Sequence, residues 1–199
     1  MLSPYLESTR IEAGCDEVGR GCLCGPVVAA AVILPVDYAN EFINDSKKLS
    51  KFNRNSLVNE IKSSAISWSV AEASVEEIDK INILHASFLA MTRAVEKLTK
   101  RPDHLLIDGN RFKSTLTIPY SCIVKGDSKF ASIAAASILA KVYRDEFMEK
   151  MAQDYPGYGW EKNAGYPTKM HRDGIRKFGL TPLHRKSFRL LPEQMKLEF

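Results

Sequence analysis

Two adjacent carboxylates lie directly before a glycine-rich loop near the start of the chain. Asp16 and Glu17 end a short apolar segment, and Gly19, Arg20 and Gly21 follow after one residue. Adjacent acids attract a divalent cation, glycines let the backbone come close to a ligand, and an arginine suits a phosphate. The pattern therefore indicates metal-dependent phosphodiester chemistry.

Two further acids follow predicted strands. Asp108 ends a short apolar segment, and Asp127 comes soon after the apolar segment at 121–124. In α/β sheets the carboxyl ends of strands are the usual place for a ligand. Carboxylates gathered there repel one another unless cations neutralise them, and oxygen ligands favour Mg²⁺ or Mn²⁺ over zinc. We therefore expect these two acids to share one metal site with Asp16 and Glu17.

The two later acids also have structural explanations. Asp108 precedes Gly109, which suits a plain turn, and Asp127 precedes Ser128, which suits the cap of a helix. Taken singly, neither acid requires a functional role. The joint pattern of four acids at strand ends is the stronger argument.

The acid pair poses a geometric problem. Neighbouring residues on a regular strand point to opposite faces of the sheet. Asp16 and Glu17 therefore share a site only if the strand breaks at this point. Gly14 and Gly19 flank the pair and allow such a break.

Other clusters leave two explanations open. Ser46, Lys47 and Lys48 offer a hydroxyl and two cations, which suit either phosphate contact or a helix cap with solvated charges. Tyr166 closes a glycine- and aromatic-rich stretch at 155–166, predicted as a loop, which either stacks on a sugar or base or simply anchors itself.

Some charged and imidazole side chains have no spacing that demands a role. Lys141 and Arg144 on a predicted long helix face either a nucleic-acid backbone or solvent. His171 and His184 lie among basic residues near the end of the chain, where they can approach a phosphate.

Size and composition fit a globular protein with a mild positive charge. The chain has 199 residues, 45% of them hydrophobic, and its net charge of +4 permits but does not require a nucleic-acid partner. The chain starts without a signal-like apolar run, and the apolar segment 27–34 is far shorter than the ~20 residues of a membrane span, so we expect a cytoplasmic protein without a membrane partner. The spacing of Cys15, Cys22 and Cys24 favours buried thiols over zinc or disulfides.

The apolar patterns predict an α/β domain with a mixed sheet over residues 1–155, followed by a helical C-terminal segment over residues 156–199. Strands are predicted at 11–16, 27–34, 66–72, 104–108 and 121–124. Helices are predicted at 49–64, 82–98, 128–151 and 168–178, and Thr181 and Pro182 open a last short helix. The alanine- and serine-rich start of the 128–151 helix suits close packing on the sheet.

Eight ordered blocks make the chain resemble the ribonuclease HII family, the type 2 branch of ribonuclease H. They lie at 13–21, 25–34, 45–49, 107–110, 125–127, 134–145, 165–168 and 184–188. The resemblance implies a ribonuclease H-like fold, with a central mixed five-stranded sheet flanked by helices and a helical C-terminal segment. It also implies an endonuclease that cuts the RNA strand of RNA–DNA hybrids and cuts 5′ to single ribonucleotides in duplex DNA.

The same resemblance implies the roles of the four acids. Asp16, Glu17, Asp108 and Asp127 correspond to the catalytic, metal-binding acids of the family. They would hold two divalent ions, Mg²⁺ or Mn²⁺, with Asp16 bridging both. The products would carry 5′-phosphate and 3′-hydroxyl ends.

The resemblance also implies which residues contact the substrate. The loop Gly19-Arg20-Gly21 corresponds to the motif that reads the 2′-hydroxyl, the group that separates ribose from deoxyribose. Tyr166 corresponds to the tyrosine that stacks on the deoxyribose after the ribonucleotide. The match also covers Ser46-Lys47-Lys48, which favours substrate contact for these residues.

The cysteines near the acids are the main departure from the family pattern. Cys22 and Cys24 occupy loop positions where proline and alanine are more frequent in the family. We expect them to alter the stiffness of the loop, and we expect their oxidation to slow the enzyme.

Two other functional classes stay open. A DNA resolvase or transposase on the same fold also gathers carboxylates but does not need to read a 2′-hydroxyl. A noncatalytic nucleic-acid-binding module has no reason to keep four acids, because carboxylates repel phosphate unless a cation intervenes. We expect a monomer, and Gln194, which is followed by apolar residues, leaves contact with a sliding clamp open.

Overall fold

A five-stranded mixed sheet forms the centre of the molecule. The computed structural model describes residues 2–45 and 51–192. The strands are β1 (Glu12–Val18), β2 (Val27–Ile33), β3 (Ser67–Ala73), β4 (His104–Asp108) and β5 (Tyr120–Ile123). Their order across the sheet is β3-β2-β1-β4-β5. Strands β1, β4 and β5 run parallel, whereas β2 is antiparallel to both β1 and β3. The expected mixed sheet is confirmed.

Helices cover both faces of the sheet. They are α1 (Lys51–Ser64), α2 (Val75–Glu96), α3 (Ala131–Asp154), α4 (Trp160–Asn163) and α5 (Lys169–Phe178), with 3-10 turns at Phe42–Asp45 and Gly126–Ser128. Helix α2 packs against one face, and α1 and α3 pack against the other. All residues of β2 are buried between these layers, as its continuous Val, Ala and Ile sequence predicts. No helix among residues 2–45 and 51–192 has the length and hydropathy of a membrane span.

The start of α3 lies against the backbone of β1. Gly14 is paired with Val32 of β2 and Leu106 of β4, in the middle of the sheet. A Cβ atom added at Gly14 would lie 2.2 Å from the carbonyl carbon of Ser132 in α3. The glycine and the small residues of α3 therefore allow the close packing that the composition of this helix predicts.

Helix α2 begins earlier than the sequence pattern predicts. Ser74 caps it by accepting a hydrogen bond from the backbone of Glu77, whose carboxylate accepts one from the backbone of Ser74. The predicted start, Asn82, is instead a kink within the helix, with φ of 63°. Its side chain accepts hydrogen bonds from the backbone N–H groups of Leu84 and His85. The capping signal of Asn82 is therefore real, but it starts only the second half of α2.

Two predictions for the C-terminal segment are wrong. The stretch 155–166, predicted as a loop, contains α4, which begins at the buried Trp160. In the part of the segment that the structure describes, which ends at residue 192, no helix follows Thr181. The Thr181 hydroxyl accepts a hydrogen bond from the backbone of Leu183, and its carbonyl accepts one from the backbone of His184. The capping side chain thus closes a turn that does not continue as a helix.

The end of α3 and the C-terminal segment share a small core. Its buried apolar members are Leu23, Cys24, Met148, Tyr158, Trp160, Ile175 and Leu190. His171 and His184 lie in the same region, with exposed fractions of 0% and 1%. Burial lowers the pKa of both imidazoles, to about 4 for His184, where the neighbouring His171 contributes as well. The hypothesis that these histidines approach a phosphate is therefore wrong.

The buried imidazole of His184 makes the stability of the fold depend on pH. An unfolded histidine binds a proton near pH 6.5, whereas folded His184 binds one only near pH 4. Between these values the unfolded state binds more protons, so the free energy of unfolding falls as the pH falls. We expect His184 to account for a loss of about 3 kcal/mol across this window, at roughly 1.4 kcal/mol per pH unit.

Urea unfolding of the wild type and of His184→Gln at a series of pH values measures this contribution. The variant should show a flatter profile between pH 6.5 and 4, the two pKa values of the imidazole. Carboxylates titrate in both proteins, so the difference between the profiles isolates the imidazole. Equal slopes in the two proteins would contradict the assignment.

Candidate active site

The acids selected from the sequence line one cavity of about 340 Å³. The cavity lies at the carboxyl ends of the parallel strands, against α1 and α3, and the side chain of Tyr166 also lines it. The four acids that line it are Asp16, Glu17, Asp108 and Asp127. The structure therefore brings together residues that are more than a hundred positions apart in the sequence.

Strand direction explains why the acids meet. Because β1, β4 and β5 are parallel, their carboxyl ends lie at the same edge of the sheet. Asp108 is the last residue of β4, and Asp127 lies in the 3-10 turn that follows β5. Gly109 has φ of +113°, so Asp108 also precedes a turn, as its alternative explanation predicts. The turn and the site position are compatible.

Strand β1 reaches the cavity without a break. It continues through Asp16 and Glu17 and ends at Val18, and it is paired with β2 from Gly14 to its end. Gly14, which was expected to allow a break, lies within the paired strand. Strand β4 ends at Asp108, level with Asp16, so Glu17 lies beyond the end of its neighbour, and both acids line the cavity. The requirement for a broken strand is therefore wrong.

A tight turn brings Asp127 into the cavity. Lys125 adopts a left-handed conformation with φ of 56°, which reverses the chain after β5. The backbone N–H of Gly126 donates a hydrogen bond to Oδ1 of Asp108 at 2.7 Å, which ties the turn to β4. Helix α3 starts only at Ala131. Asp127 is therefore not its cap, and the capping explanation is wrong.

Burial and repulsion from neighbouring acids raise the pKa of both Asp16 and Glu17. The pKa of Asp16 rises from 3.8 to about 8, chiefly because the carboxyl is buried and also because Glu17 is close. Hydrogen bonds from Ser137 and from the backbone N–H of Glu17, the latter 2.7 Å long, act in the opposite direction. Burial also raises the pKa of Glu17, although the Arg20 guanidinium lies 3.1 Å from its carboxylate. Additional positive charge in the cavity would stabilise the ionised acids.

The donor set suits a hard divalent cation. Carboxylate oxygens are the ligands that Mg²⁺ and Mn²⁺ prefer. Among residues 2–45 and 51–192, no three His, Cys, Asp or Glu side chains are already arranged to hold an ion. Two of the acids already have internal partners, since Asp108 accepts from Gly126 and Glu17 accepts from Arg20. The acids nevertheless line one cavity.

Two polar residues of the cavity, Arg54 of α1 and Ser137 of α3, are missed by the sequence analysis. Lys141 of α3, for which contact with a nucleic-acid backbone was left open, also lines the cavity. The Nζ of Lys141 lies 2.6 Å from Oδ1 of Asp145, and a guanidinium nitrogen of Arg54 lies 3.9 Å from Oδ2 of the same carboxylate. Ser137 and Lys141 are spaced i, i+4 on one helix face, which is a signal that could have found them. Arg54 carries no such signal.

Two buried arginines hold the loop that follows the acid pair. Gly19 has φ of +96°, and a Cβ atom there would lie 2.3 Å from Nε of Arg144 in α3. Arg144 and Arg185 both have exposed fractions of 0%. Their guanidiniums donate hydrogen bonds of 2.8 to 3.2 Å to the carbonyls of Arg20, Cys22, Cys24, Gly25 and Pro26. Burial, together with the nearby Arg144, lowers the pKa of Arg185 to about 10, so it remains charged at pH 7.

The same loop is joined to the segment that carries Tyr166. Arg144 donates a hydrogen bond of 2.7 Å to the carbonyl of Ala164, and the backbone N–H of Leu23 donates one of 2.8 Å to the carbonyl of Gly165. The side chain of Tyr166 remains 39% exposed. The two elements expected to contact the substrate are therefore held as one unit.

The thiols of this loop are enclosed. Cys22 and Cys24 are both fully buried, and burial raises the pKa of both, to about 12 for Cys24. Oxidation proceeds through exposed thiolates, so the structure argues against the hypothesis that oxidation of these cysteines slows the enzyme.

Part of the expected site lies outside the described residues. This applies to Ser46, Lys47 and Lys48 and to Gln194 in the tail. Their contacts with substrate or with a sliding clamp stay predictions.

Solved structures of ribonucleases share this fold. The ribonuclease HII of Archaeoglobus fulgidus, solved in a complex with PCNA, matches with a TM-score of 0.73 and 24% identity, covering 94% of this chain and 98% of that chain. The protein named Bst-RNase HIII, solved with Mn²⁺, matches with a TM-score of 0.71 and 20% identity, covering 95% of this chain and 70% of that chain. The protein therefore has a ribonuclease H-like fold.

Sequence comparison identifies the branch of this class. The model of the ribonuclease HII family matches residues 13–191. The ribonuclease HII of Parabacteroides distasonis is 62% identical over 199 residues, covering 100% of both chains. The chain therefore belongs to the ribonuclease HII family and is a ribonuclease H, a hydrolase that acts on the RNA of RNA–DNA hybrids.

The two glycines of the loop should respond differently to a methyl group. Gly19→Ala forces a left-handed backbone on alanine and drives Cβ into Arg144, so we expect it to lower the free energy of unfolding by about 2 kcal/mol. Among residues 2–45 and 51–192, no heavy atom apart from the chain neighbours lies within 4 Å of a Cβ placed at Gly21, so Gly21→Ala should change the free energy of unfolding little. Urea unfolding of both variants measures the difference, and equal stability would show that Arg144 does not constrain the loop.

Proposed function

We propose that the protein cuts the RNA strand of RNA–DNA hybrids internally and cuts 5′ to single ribonucleotides in duplex DNA, leaving 5′-phosphate and 3′-hydroxyl ends. One observation carries this proposal. The four acids line the same cavity as Tyr166, and the loop at Gly19 is tied to the Tyr166 segment through Arg144. The fold therefore fixes the distance between the acids, which suit phosphodiester chemistry, and the two elements that could recognise a sugar.

We assign the binding of Mg²⁺ or Mn²⁺, two ions during catalysis, to the acids of the cavity. Bound divalent ions supply Lewis acidity at a phosphodiester and lower the pKa of a coordinated water. The donors would be Asp16, Glu17, Asp108 and Asp127. The all-oxygen donor set and the raised pKa of Asp16 support this assignment, and the related Bst-RNase HIII was solved with Mn²⁺.

We assign the phosphate backbone of the substrate to the cations around the acids. Arg54 and Lys141 line the cavity, and Arg20 is exposed beside Glu17. Such side chains position a nucleic-acid strand by contacting its phosphates. In the family resemblance, Ser46-Lys47-Lys48 adds to this group.

We assign recognition of the sugar to two elements that Arg144 holds together. The backbone of Gly19-Arg20-Gly21 would contact the 2′-hydroxyl, the group that an enzyme must detect to separate ribose from deoxyribose. The exposed ring of Tyr166 would lie against the following deoxyribose, whose C2′ carries no hydroxyl and presents an apolar face.

We also propose that residues 1–155 form the catalytic domain and that residues 156–199 form a C-terminal segment that helps bind the substrate. The hydrogen bonds of Arg185 to the carbonyls of Arg20 and Cys22 support this role. The related Archaeoglobus protein was solved with PCNA, which supports testing the tail around Gln194 for contact with a sliding clamp.

The alternatives account less well for the cavity. A resolvase or transposase requires the acids, but it does not require a loop held beside them for recognition of a 2′-hydroxyl. A binding module without catalysis gains nothing from four acids in one cavity, because ionised carboxylates repel a phosphate unless a cation intervenes.

Cleavage of a DNA duplex that contains one ribonucleotide tests the proposal directly. We expect a cut only on the 5′ side of the ribonucleotide, with Mg²⁺ or Mn²⁺ and not with chelator. Asp16→Asn should lower the rate by roughly a thousandfold, because it removes a group that acts together with the other acids. Asp173→Asn, which alters an exposed acid paired with Lys169 and Arg176, is the matched control.

Three results of this assay would each decide a question. Cutting of an all-DNA duplex at the same rate would favour a resolvase or transposase. Binding without cutting under either metal would favour a binding module. Equal activity of Asp16→Asn and wild type would remove Asp16 from the catalytic site.

Tyr166 should affect substrates with a junction more than long hybrids. We expect Tyr166→Ala to lower kcat/KM for the single ribonucleotide about tenfold relative to a long hybrid, since aromatic stacking contributes roughly 1–3 kcal/mol. Tyr166→Phe should retain most of the preference. Tyr143→Ala is the control, because it removes a tyrosine that is also exposed but lies on α3. An unchanged ratio in Tyr166→Ala would refute the assigned role.

A further inference from the structure

A buried hydrogen-bond network leads from the C-terminal turn to the backbone of Tyr166. It contains Trp160 of α4, His171 of α5 and His184 of the following turn, with exposed fractions of 1%, 0% and 1%. None of these side chains lines the cavity of the acids. Buried polar groups are stable only when each has a hydrogen-bond partner, so the partners fix where each proton lies.

The tautomer of His184 follows from the turn at Thr181. The backbone N–H of Thr181 donates a hydrogen bond of 2.9 Å to Nδ1 of His184. A backbone N–H can only donate, so this nitrogen carries no proton. The neutral ring therefore carries its proton on Nε2, which lies 3.2 Å from Nε2 of His171.

The tautomer of His171 follows from the indole of Trp160. The indole N–H can only donate, and it lies 3.0 Å from Nε2 of His171. The N–H at Nε2 of His184 donates to the same lone pair, which the two donors share, so this nitrogen carries no proton of its own. The proton of His171 is therefore on Nδ1, which lies 3.0 Å from the carbonyl oxygen of Tyr166.

The last hydrogen bond of the network reaches a residue of the candidate site. The carbonyl of Tyr166 accepts from Nδ1 of His171 and also, at 2.8 Å, from the backbone N–H of Thr168. The backbone N–H of Tyr166 donates to the carbonyl of Asn163 at 2.8 Å. The backbone at Tyr166 is thus held on both sides, while its side chain, which also contacts the Cys22 thiol, remains 39% exposed.

We propose that His171 is a positioning residue for Tyr166, and that Trp160 and His184 hold His171 in the tautomer that donates to the Tyr166 carbonyl. The inference rests on the proposed role of Tyr166 at the junction between ribonucleotide and DNA. It assigns His171 no contact with substrate. The network sets the direction from which the tyrosine ring enters the cavity.

Two amide variants of His171 separate positioning from simple packing. An asparagine amide nitrogen can take the place of Nδ1 and donate to the Tyr166 carbonyl. A glutamine amide oxygen can take the place of Nε2 and accept from Trp160 and His184, but it leaves the Tyr166 carbonyl without this donor. The pair therefore keeps opposite halves of the network.

The readout is the ratio of kcat/KM for a single ribonucleotide in DNA to that for a long RNA–DNA hybrid. We expect His171→Gln to lower this ratio about tenfold, since small misplacements of a positioning group can cost up to a hundredfold in rate. His171→Asn should retain most of it. Thermal unfolding of both variants is measured alongside. Equal ratios in the two variants, whatever their stability, would overturn the proposal.

A double-mutant cycle tests whether the effect passes through Tyr166. If it does, His171→Gln should change the ratio little in a Tyr166→Ala background, because the positioned ring is already absent. Independent, multiplying effects of the two substitutions would show that His171 acts elsewhere and would overturn the proposal.

Nitrogen chemical shifts of labelled imidazoles test the network without any substrate. In the wild-type protein, His171 should be protonated on Nδ1 and His184 on Nε2. The opposite tautomer at His171 would overturn the proposal even if the enzyme reads junctions as proposed. Conversely, a wild type without any preference for the single ribonucleotide would refute the role of Tyr166 while leaving the tautomers measurable, so the two failures are distinguishable.

Discussion

The close contact between α3 and β1 is the constraint on which the site depends. It requires Gly14, because a Cβ atom there would overlap the backbone of Ser132. Helix α3 then runs along the sheet and brings Ser137 to the carboxyl of Asp16 and Arg144 to the loop after the acid pair. Since a helix moves as a rigid element, any change in its seat on β1 displaces all of these side chains together.

Buried groups of both charges lie near the glycine loop, namely the guanidiniums of Arg144 and Arg185 and the carboxyl of Asp16, and the protein stabilises them differently. Arg144 and Arg185 donate to uncharged carbonyls, which satisfy their N–H groups without cancelling their charge. Asp16 has partners that offset only part of the burial and repulsion, so its pKa rises to about 8. Positive potential is therefore retained beneath the loop, while the acids disfavour full ionisation. This distribution suits a ligand that brings cations to the acids and an anionic backbone to the loop.

The site residues whose positions follow from strand order and strand ends were placed correctly from the sequence. The ends of parallel strands meet whatever else the fold does, so Asp108 and Asp127 could be placed beside the acid pair from the sequence alone. Arg54 could not, because only tertiary packing brings α1 to the cavity. The error at His171 has the same origin, since its basic sequence neighbours suggested exposure, whereas distant Trp160 and His184 enclose it. The start of α2 is a different kind of error, because the capping box of Ser74 and Glu77 is visible in the sequence, whereas the predicted helix began at Asn82.

In the proposed function, selectivity for one hydroxyl group would account for the many buried polar groups that support two short surface segments. A hydroxyl is discriminated strongly only by donors and acceptors that are already in place, because flexible groups lose the gain to ordering. Arg144 packs closely against Gly19 and donates a hydrogen bond to the carbonyl of Ala164. His171 hydrogen-bonds the carbonyl of Tyr166. Because each contact is made to the backbone, these side chains fix how far the Gly19 loop and the Tyr166 segment lie from the acids. In the proposed function, a sugar-recognition site held in this way would also determine which phosphate faces the acids.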